Sequence, residues 1–243
     1  VRWRLLPFAA YRGAMNMAVD ETVADTVRAG GPPTVRFYAW SPGAVSIGAF
    51  QSAAEEVDLD ECRRRGVEVV RRRTGGGAVY HDPRGEVTYS VIAPQAVFGN
   101  DILASYREVC GYVMSALAAL GVPSEYRPIN DIVVSGRKIS GSAQTRREGV
   151  FLMHGTVLLS IDREAMSSLL TPSPAKAAGR PAGGVTCLAE HADASLDEVL
   201  PALREAFLRG RRWEEGDLTS EEEARAQELV RSRYGSDAWT FSR

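Results

Sequence analysis

Three consecutive glycines, Gly75 to Gly77, follow Arg71, Arg72 and Arg73 and precede Tyr80, His81 and Asp82 in the stretch RRRTGGGAVYHDPRGEVTYS. A backbone without side chains lets a ligand reach its N–H groups. Fixed positive charge beside it suits a phosphate or a carboxylate. The residues after the glycines limit the fold. In a P-loop or a dinucleotide-binding unit the glycines open a helix and carry GK[ST] or GxGxxG spacing. Here Ala78 to His81 and Val87 to Ala93 read as strands joined by a turn at Asp82-Pro83-Arg84-Gly85. The glycines therefore lead into a hairpin, and neither nucleotide fold fits. Taken alone, the same residues also describe a glycine-rich turn beside a solvated basic stretch.

The rest of the chain supplies elements of both kinds. Trp3 to Phe8 reads as a strand, Gly13 to Arg28 as a helix, and Val35 to Trp40 and Val45 to Phe50 as strands split by Ser41-Pro42-Gly43. Asp58 is a cap for a helix through Arg65, and Val67 to Arg72 returns as a strand. Ile102 to Leu120 carries Tyr106, Val109, Val113 and Leu117 at helical spacing. Asn130 to Ser160 is β-rich, Asp162 caps a short helix, and Thr171 to Gly184 reads as a long loop. From about residue 195 to 243 the pattern is mostly helical, with a capping box at Thr219 and Glu222. Strands and helices without regular βαβ alternation predict an α+β fold.

The 243 residues can bury a large core, and a net charge of −2 argues against a dedicated nucleic-acid binder. Six arginines between Arg63 and Arg73 are offset by nearby acidic residues, so no large basic face is expected. Three scattered cysteines, Cys62, Cys110 and Cys187, fit free thiols in a reducing compartment. His81, His154 and His191 lack metal-ligand spacing, and no apolar run reaches transmembrane length. A cytoplasmic protein with neither membrane nor nucleic-acid partner is expected.

A second chemical segment is NDIVVSGRKISGSAQ. Asn130 and Asp131 offer contacts for a base, a ribose or a hydrated Mg²⁺. Lys138 lies between Gly136 and Gly141 among small residues, where backbones come close to a ligand. Its bland alternative is a hairpin tip with a solvated lysine. His154-Gly155-Thr156 interrupts an apolar run, and a histidine there is more often a satisfied core residue than a catalytic one.

In this order and spacing, RRRTGGGAVYHD, NDIVVSGRKISGSAQ and FLMHGTVLL resemble the lipoate–protein ligases of the biotin/lipoate ligase and octanoyltransferase superfamily. MNMAVDE, VRFYAWSPGAVSIGAFQ and VTCLAEH agree, so the resemblance spans nearly the whole chain as one catalytic domain, residues 1–243. It implies a central mixed sheet flanked by helices, ATP-dependent activation of lipoate to lipoyl-AMP, and transfer to a lysine of a lipoyl domain. The acceptors it implies are 2-oxoacid dehydrogenase E2 subunits or the glycine cleavage H protein. Arg72, Gly75, Gly76, Gly77, Ala78, Val79 and Tyr80 match the acyl- and adenylate-binding loop. Lys138 matches the lysine that contacts acyl carbonyl and phosphate; Asn130 and Asp131 match positions near the nucleotide. His81, Gly141, His154, Gly155 and Thr156 are carried over as substrate contacts. Mg²⁺ is expected to come with the nucleotide, with Asp131 its one candidate protein contact.

Two departures qualify the resemblance. The chain ends soon after Trp239, where many ligases continue into an accessory domain, so activation is expected to draw on a separate accessory protein. The segment before Val185 carries Gly184 where the family often has arginine. An alternative is an ATP-independent octanoyl- or lipoyltransferase working through a cysteine thioester. The usual positions for that cysteine read Glu125-Tyr126-Arg127-Pro128 and Pro181-Ala182-Gly183, which leaves Cys187 as the nearest thiol. A second alternative is a non-enzymatic module that binds lipoyl-adenylate or lipoyl domains.

Overall fold

The computed structural model describes residues 1–171 and 184–243. The loop expected from Thr171 to Gly184 lies, apart from its two end residues, outside the described residues. The chain runs β1 (Arg2–Tyr11), α1 (Gly13–Arg28), β2 (Thr34–Trp40) and β3 (Ala44–Ile47), then α2 (Ala53–Glu56), α3 (Leu59–Arg65) and β4 (Glu68–Arg71). After the glycines come β5 (Val79–His81), β6 (Glu86–Pro94), the long helix α4 (Ile102–Ala119), β7 (Glu125–Arg127), β8 (Asp131–Val134), β9 (Arg137–Arg147) and β10 (Val150–Leu158). Helix α5 (Arg163–Leu169) follows. The C-terminal part holds helices Leu196–Leu208, Ser220–Leu229 and Asp237–Thr240, with strand β11 (Arg212–Glu215) between the first two.

One sheet has the order β11-β1-β2-β6-β10-β9-β8-β7, and a smaller one the order β4-β3-β5. In the large sheet β1 pairs in parallel with β11 and β2, and the remaining neighbours are antiparallel. The fold is α+β, a mixed sheet flanked by helices. Period-two alternation assigns its faces. Odd positions of β6 and β10, such as Tyr89, Val91, Phe151 and Met153, pack with Val113 and Leu117 of α4 and Phe207. Even positions, Ile92, Val150 and Leu152, join Val19 and Val23 of α1. The small sheet has its own cluster around Val45, Ile47 and Leu169. Among the described residues no helix is long and apolar enough to cross a membrane.

The caps were legible. The Asp58 side chain accepts from the Glu61 amide, and Asp162 accepts from Ala165 in the same way at the start of α5. Two expectations fail. The strands flanking Asp82 to Gly85 are not a hairpin: β5 pairs with β3, whereas both edges of β6 are occupied by β2 and β10. The turn instead carries the chain from the small sheet to the large one. The C-terminal part is also less helical than expected. Arg212–Glu215 is exposed along its whole length, so no apolar pattern marks it, and it is a strand only because its backbone pairs with β1.

Candidate active site

The glycine cradle is built on Arg72. Its side chain is buried, and all five N–H donors are engaged. Nε donates to Thr74 Oγ1 at 3.1 Å and Nη1 to the carbonyl and hydroxyl of Ser46 at 3.0 and 3.1 Å. Nη2 donates to the carbonyls of Gly75 and Gly77 at 2.8 and 2.7 Å. Among the described residues Arg72 has no ion-pair partner, and burial pulls its pKa down to about 10. In this arrangement every donor of Arg72, expected as a direct ligand contact, is taken up by the protein itself. Arg72 turns the cradle carbonyls inward and places an uncompensated charge beneath them. The amides of Gly75, Gly76 and Gly77 make no backbone hydrogen bond among the described residues. A Cβ on Gly77 would meet nothing within 4 Å. A loop with carbonyls tied back and amides free is a donor surface for an anion.

Opposite the cradle, on the α1 side of the large sheet, lies Lys138. Its Nζ is 2.6 Å from Asp131 Oδ1 across the β8–β9 ladder. Gly141 makes this possible, because a Cβ there would stand 2.5 Å from both Cε and Nζ of Lys138. Two residues further along β9 on the same face, Ala143 meets the cradle, 4.0 Å from where a Cβ on Gly76 would stand. Thr156 is paired with Gly141 and His154 with Ala143. The floor between ammonium and cradle is thus made of small residues, with His154 and Thr156 beside it.

His154 is buried in a relay. An arginine only donates, so Thr74 Oγ1 accepts from Arg72 and turns its proton to His154 Nε2 at 2.7 Å. His154 Nδ1–H then donates to Asp20 Oδ2 at 3.0 Å. Burial holds the imidazole pKa below its ordinary 6.5. Burial opposes ionisation of Asp20, but Arg36, 2.8 Å away, then His154 and Ser90 outweigh it and keep the carboxyl below its usual range. His81 repeats the pattern in the small sheet. Ser46 Oγ accepts from Arg72 and contacts His81 Nε2 at 2.8 Å, and His81 Nδ1 is 2.6 Å from Glu86.

The cradle glycines, Gly141, Lys138, Asp131, His154 and Thr156 therefore come together on one sheet face. Other candidates are placed elsewhere. His81, expected as a substrate contact, stacks on Trp40 with both ring nitrogens engaged by Ser46 and Glu86. Ala78 and Tyr80 pack against the small-sheet cluster, where burial pushes the Tyr80 phenol up to about 12. Val79 pairs with Ser46. Asn130 Nδ2 donates to the Ser142 carbonyl at 2.5 Å and so ties its turn to β9. Gly155 points to the opposite face, where a Cβ would stand 2.4 Å from the Tyr89 hydroxyl. Its need is ring packing.

Arg71 and Arg73 are not the surface charges that a solvated basic stretch implies. Arg71 is 1% exposed and donates to the carbonyls of Gly48, Gln51, Trp239 and Thr240. Arg73 pairs with Glu21 at 2.9 Å. The network residues Asp20, Arg36, Ser46 and Thr74 were not singled out in the sequence. The one signal for Asp20 was an acidic residue beside Val19 on the apolar face of α1.

All three cysteines are buried. Burial raises Cys187 and pushes Cys62 and Cys110 up to about 11. Asp131 is neutralised by Lys138, and among the described residues no three His, Cys, Asp or Glu side chains gather as a metal site.

The model of the lipoyl protein ligase A/B catalytic domain matches residues 12–208. The chain belongs to this family. Octanoyltransferase LipM of Symbiobacterium thermophilum is 38% identical over 270 residues, covering 98% of either chain. Among solved structures, a bi-partite lipoate protein ligase described with its E2 lipoyl domain, from Thermoplasma acidophilum, is 32% identical with a TM-score of 0.88. That match covers 99% of this chain and 96% of the other. A lipoate-protein ligase A bound with ATP is likewise 32% identical, with a TM-score of 0.86 and 99% coverage of each chain. The enzyme is thus of the lipoate ligase and octanoyltransferase type.

Proposed function

We propose that this protein transfers a lipoyl or octanoyl group to the ε-amino group of a lysine on a lipoyl domain, with residues 1–243 acting as one catalytic domain. The observation that carries the reading is that Lys138 over Gly141 and a cradle of free amides over buried Arg72 flank the same face of β9, the cradle at Ala143. The acyl carbonyl oxygen lies against the Lys138 ammonium, which stabilises the negative charge that develops there. The acceptor amine attacks the carbonyl carbon, the C–N bond forms, the bond to the leaving group breaks, and the amine's extra proton is lost. The acceptor is an E2 lipoyl domain or the glycine cleavage H protein.

The burial of every thiol supports an acyl-adenylate as the donor. In that route the lipoate carboxylate attacks the α-phosphate of ATP and pyrophosphate leaves. Cradle amides and Lys138 offset the repulsion of the two anions, and Mg²⁺ brought by the nucleotide would supply charge screening for the pyrophosphate. The names of the curated relatives favour a second reading over this one: ATP-independent transfer of octanoate from a carrier thioester, with Cys187 as the thiol for a covalent version.

One experiment separates them. Purified protein and a lipoyl domain are supplied with lipoate, ATP and Mg²⁺, with pre-made lipoyl-AMP, or with octanoyl-acyl carrier protein, and the acceptor is weighed by mass spectrometry. Modification from lipoyl-AMP, or from ATP and lipoate, supports the adenylate route. Modification from the carrier without ATP, lost in Cys187→Ala, overturns it. Lys138→Ala is expected to cut transfer to a small residual rate in every case while the protein stays folded.

A further inference from the structure

Lys138 is fixed at its backbone by a segment distant in sequence. Its amide donates to the Gly184 carbonyl at 3.0 Å, and its carbonyl accepts from the Thr186 amide at 2.8 Å. Val185 thereby forms a parallel bridge to Lys138 alone. A one-residue bridge has little intrinsic persistence, since it orders several residues for two hydrogen bonds. Something else must hold it.

That group is Glu190, in the short turn of helix Leu188–Glu190. One carboxylate oxygen accepts from Arg137 Nη1 at 2.6 Å and from the buried Thr186 hydroxyl at 2.9 Å. The other accepts from Arg163 Nη2 at 2.6 Å. Arg137 is the residue before Lys138 on β9, Thr186 is bonded to Lys138, and Arg163 opens α5 and reaches the Val185 carbonyl at 3.4 Å. Thr186 also meets His191 Nε2 at 2.8 Å. Three elements that flank the lysine converge on one carboxylate. Hydrogen bonds from Thr186, Arg137 and Arg163 hold its pKa down to about 2, so it stays ionised at any working pH.

We infer that Glu190 is a positioning residue for the transfer reaction, fixing the Lys138 backbone through Thr186 and Arg137 so that the ammonium stays over Gly141. The inference rests on the role proposed above for Lys138. Glu190 touches no reacting atom. With the backbone free to shift, the side chain leaves the narrow track that Gly141 permits, and misplacement by about 1 Å costs on the order of 100-fold in rate.

The test is Glu190→Gln, which keeps size and one acceptor but weakens the bonds from both arginines. Single-turnover transfer is measured with enzyme in excess, because its rate constant does not depend on the fraction of enzyme that is folded. A fall of about tenfold is expected in the otherwise native protein and none in the Lys138→Ala background, provided that residual transfer is followed long enough. An equal fall in both backgrounds, or none in the first, overturns the inference. Hydrogen exchange supplies a readout independent of activity. The amides of Lys138 and Thr186 are expected to lose protection in Glu190→Gln, with α1 unchanged, and native protection at both overturns the clamp whatever the rates. If Lys138→Ala transfers at the native rate while the clamp amides still open in Glu190→Gln, the catalytic reading of Lys138 fails and the positioning role falls with it, leaving Glu190 a purely structural clamp.

Discussion

The Lys138 side chain lies across the α-carbon of Gly141, so that a methyl group there would stand 2.5 Å from the ammonium nitrogen. The obstructed atoms are the far end of a flexible side chain, which swings away at little cost. Gly141→Ala is therefore expected to spare the fold. Gly141 needs no left-handed backbone, and alanine there lowers the entropy of the unfolded chain, worth about 0.4–1 kcal/mol of stability. Transfer, however, is expected to fall by about 100-fold as the ammonium loses its place beside the acyl carbonyl. Thermal denaturation together with single-turnover kinetics checks this. A destabilised protein with native rate constants would contradict the assignment.

Arg72 gives the opposite separation. A contact made only to ligand leaves stability untouched when it is removed. Arg72 holds five acceptors of its own protein, so even Arg72→Lys, which keeps the charge but has three donors, leaves two without a partner, and those at Ser46 and Thr74 are buried. Each buried acceptor left unpaired costs about 1–3 kcal/mol. Chemical denaturation is expected to show a loss of several kcal/mol on the same scale. Unaltered stability with weakened donor binding would restore the role of a direct ligand contact.

The difference between what the sequence announced and what the structure holds follows from range. Glycines, caps and the alternation of β6 and β10 are local, and they were legible because turn chemistry and period-two burial are set by neighbours. The closeness of Lys138 and Gly141 is local in the same way, the two being three residues apart. The roles of Arg71, Arg72 and Arg73 were not, because a run of arginines looks alike whether it meets water or carbonyls 168 residues away, as Arg71 meets Trp239. Gly155 misled in the same way: its requirement comes from the Tyr89 ring on the adjacent strand. The partners of β5 and β6 depended on which sheet edges were already filled.

The relay through His154 has a pH signature. Because burial keeps its pKa below 6.5, the unfolded chain takes up a proton at this histidine as pH falls below about 6.5, while the folded protein does not. The unfolded state then binds more protons, so stability present above pH 6.5 is lost as pH falls. Asp20, also depressed, loses its contribution at lower pH, below its ordinary 3.8. In denaturant titrations between pH 8 and 5, His154→Gln is expected to flatten the curve by up to about 1.4 kcal/mol per pH unit. His81 and His191 remain in both proteins and cancel. Parallel curves would mean that His154 protonates equally in both states.

The cradle is braced from behind by the end of the chain. Trp239 Nε1 donates to the Arg71 carbonyl at 2.9 Å, while the Arg71 guanidinium returns bonds to the carbonyls of Trp239 and Thr240. Arg71 also holds the Gly48 carbonyl, and Gly48 packs so closely on the Gly76 carbonyl that a Cβ would stand 2.2 Å from its oxygen. Trp239→Phe keeps the ring against Tyr234 and removes one hydrogen bond, a loss of about 1 kcal/mol. Deleting residues 237–243 removes two acceptors from a buried guanidinium that has no carboxylate partner among the described residues. The deletion is expected to cost more stability than Trp239→Phe and to raise the KM for the acyl donor, because the cradle loses its brace. Denaturation and donor KM, measured side by side for both variants, check this. A deletion that lowers stability but leaves donor KM native would confine the C-terminal segment to the fold and detach it from the site.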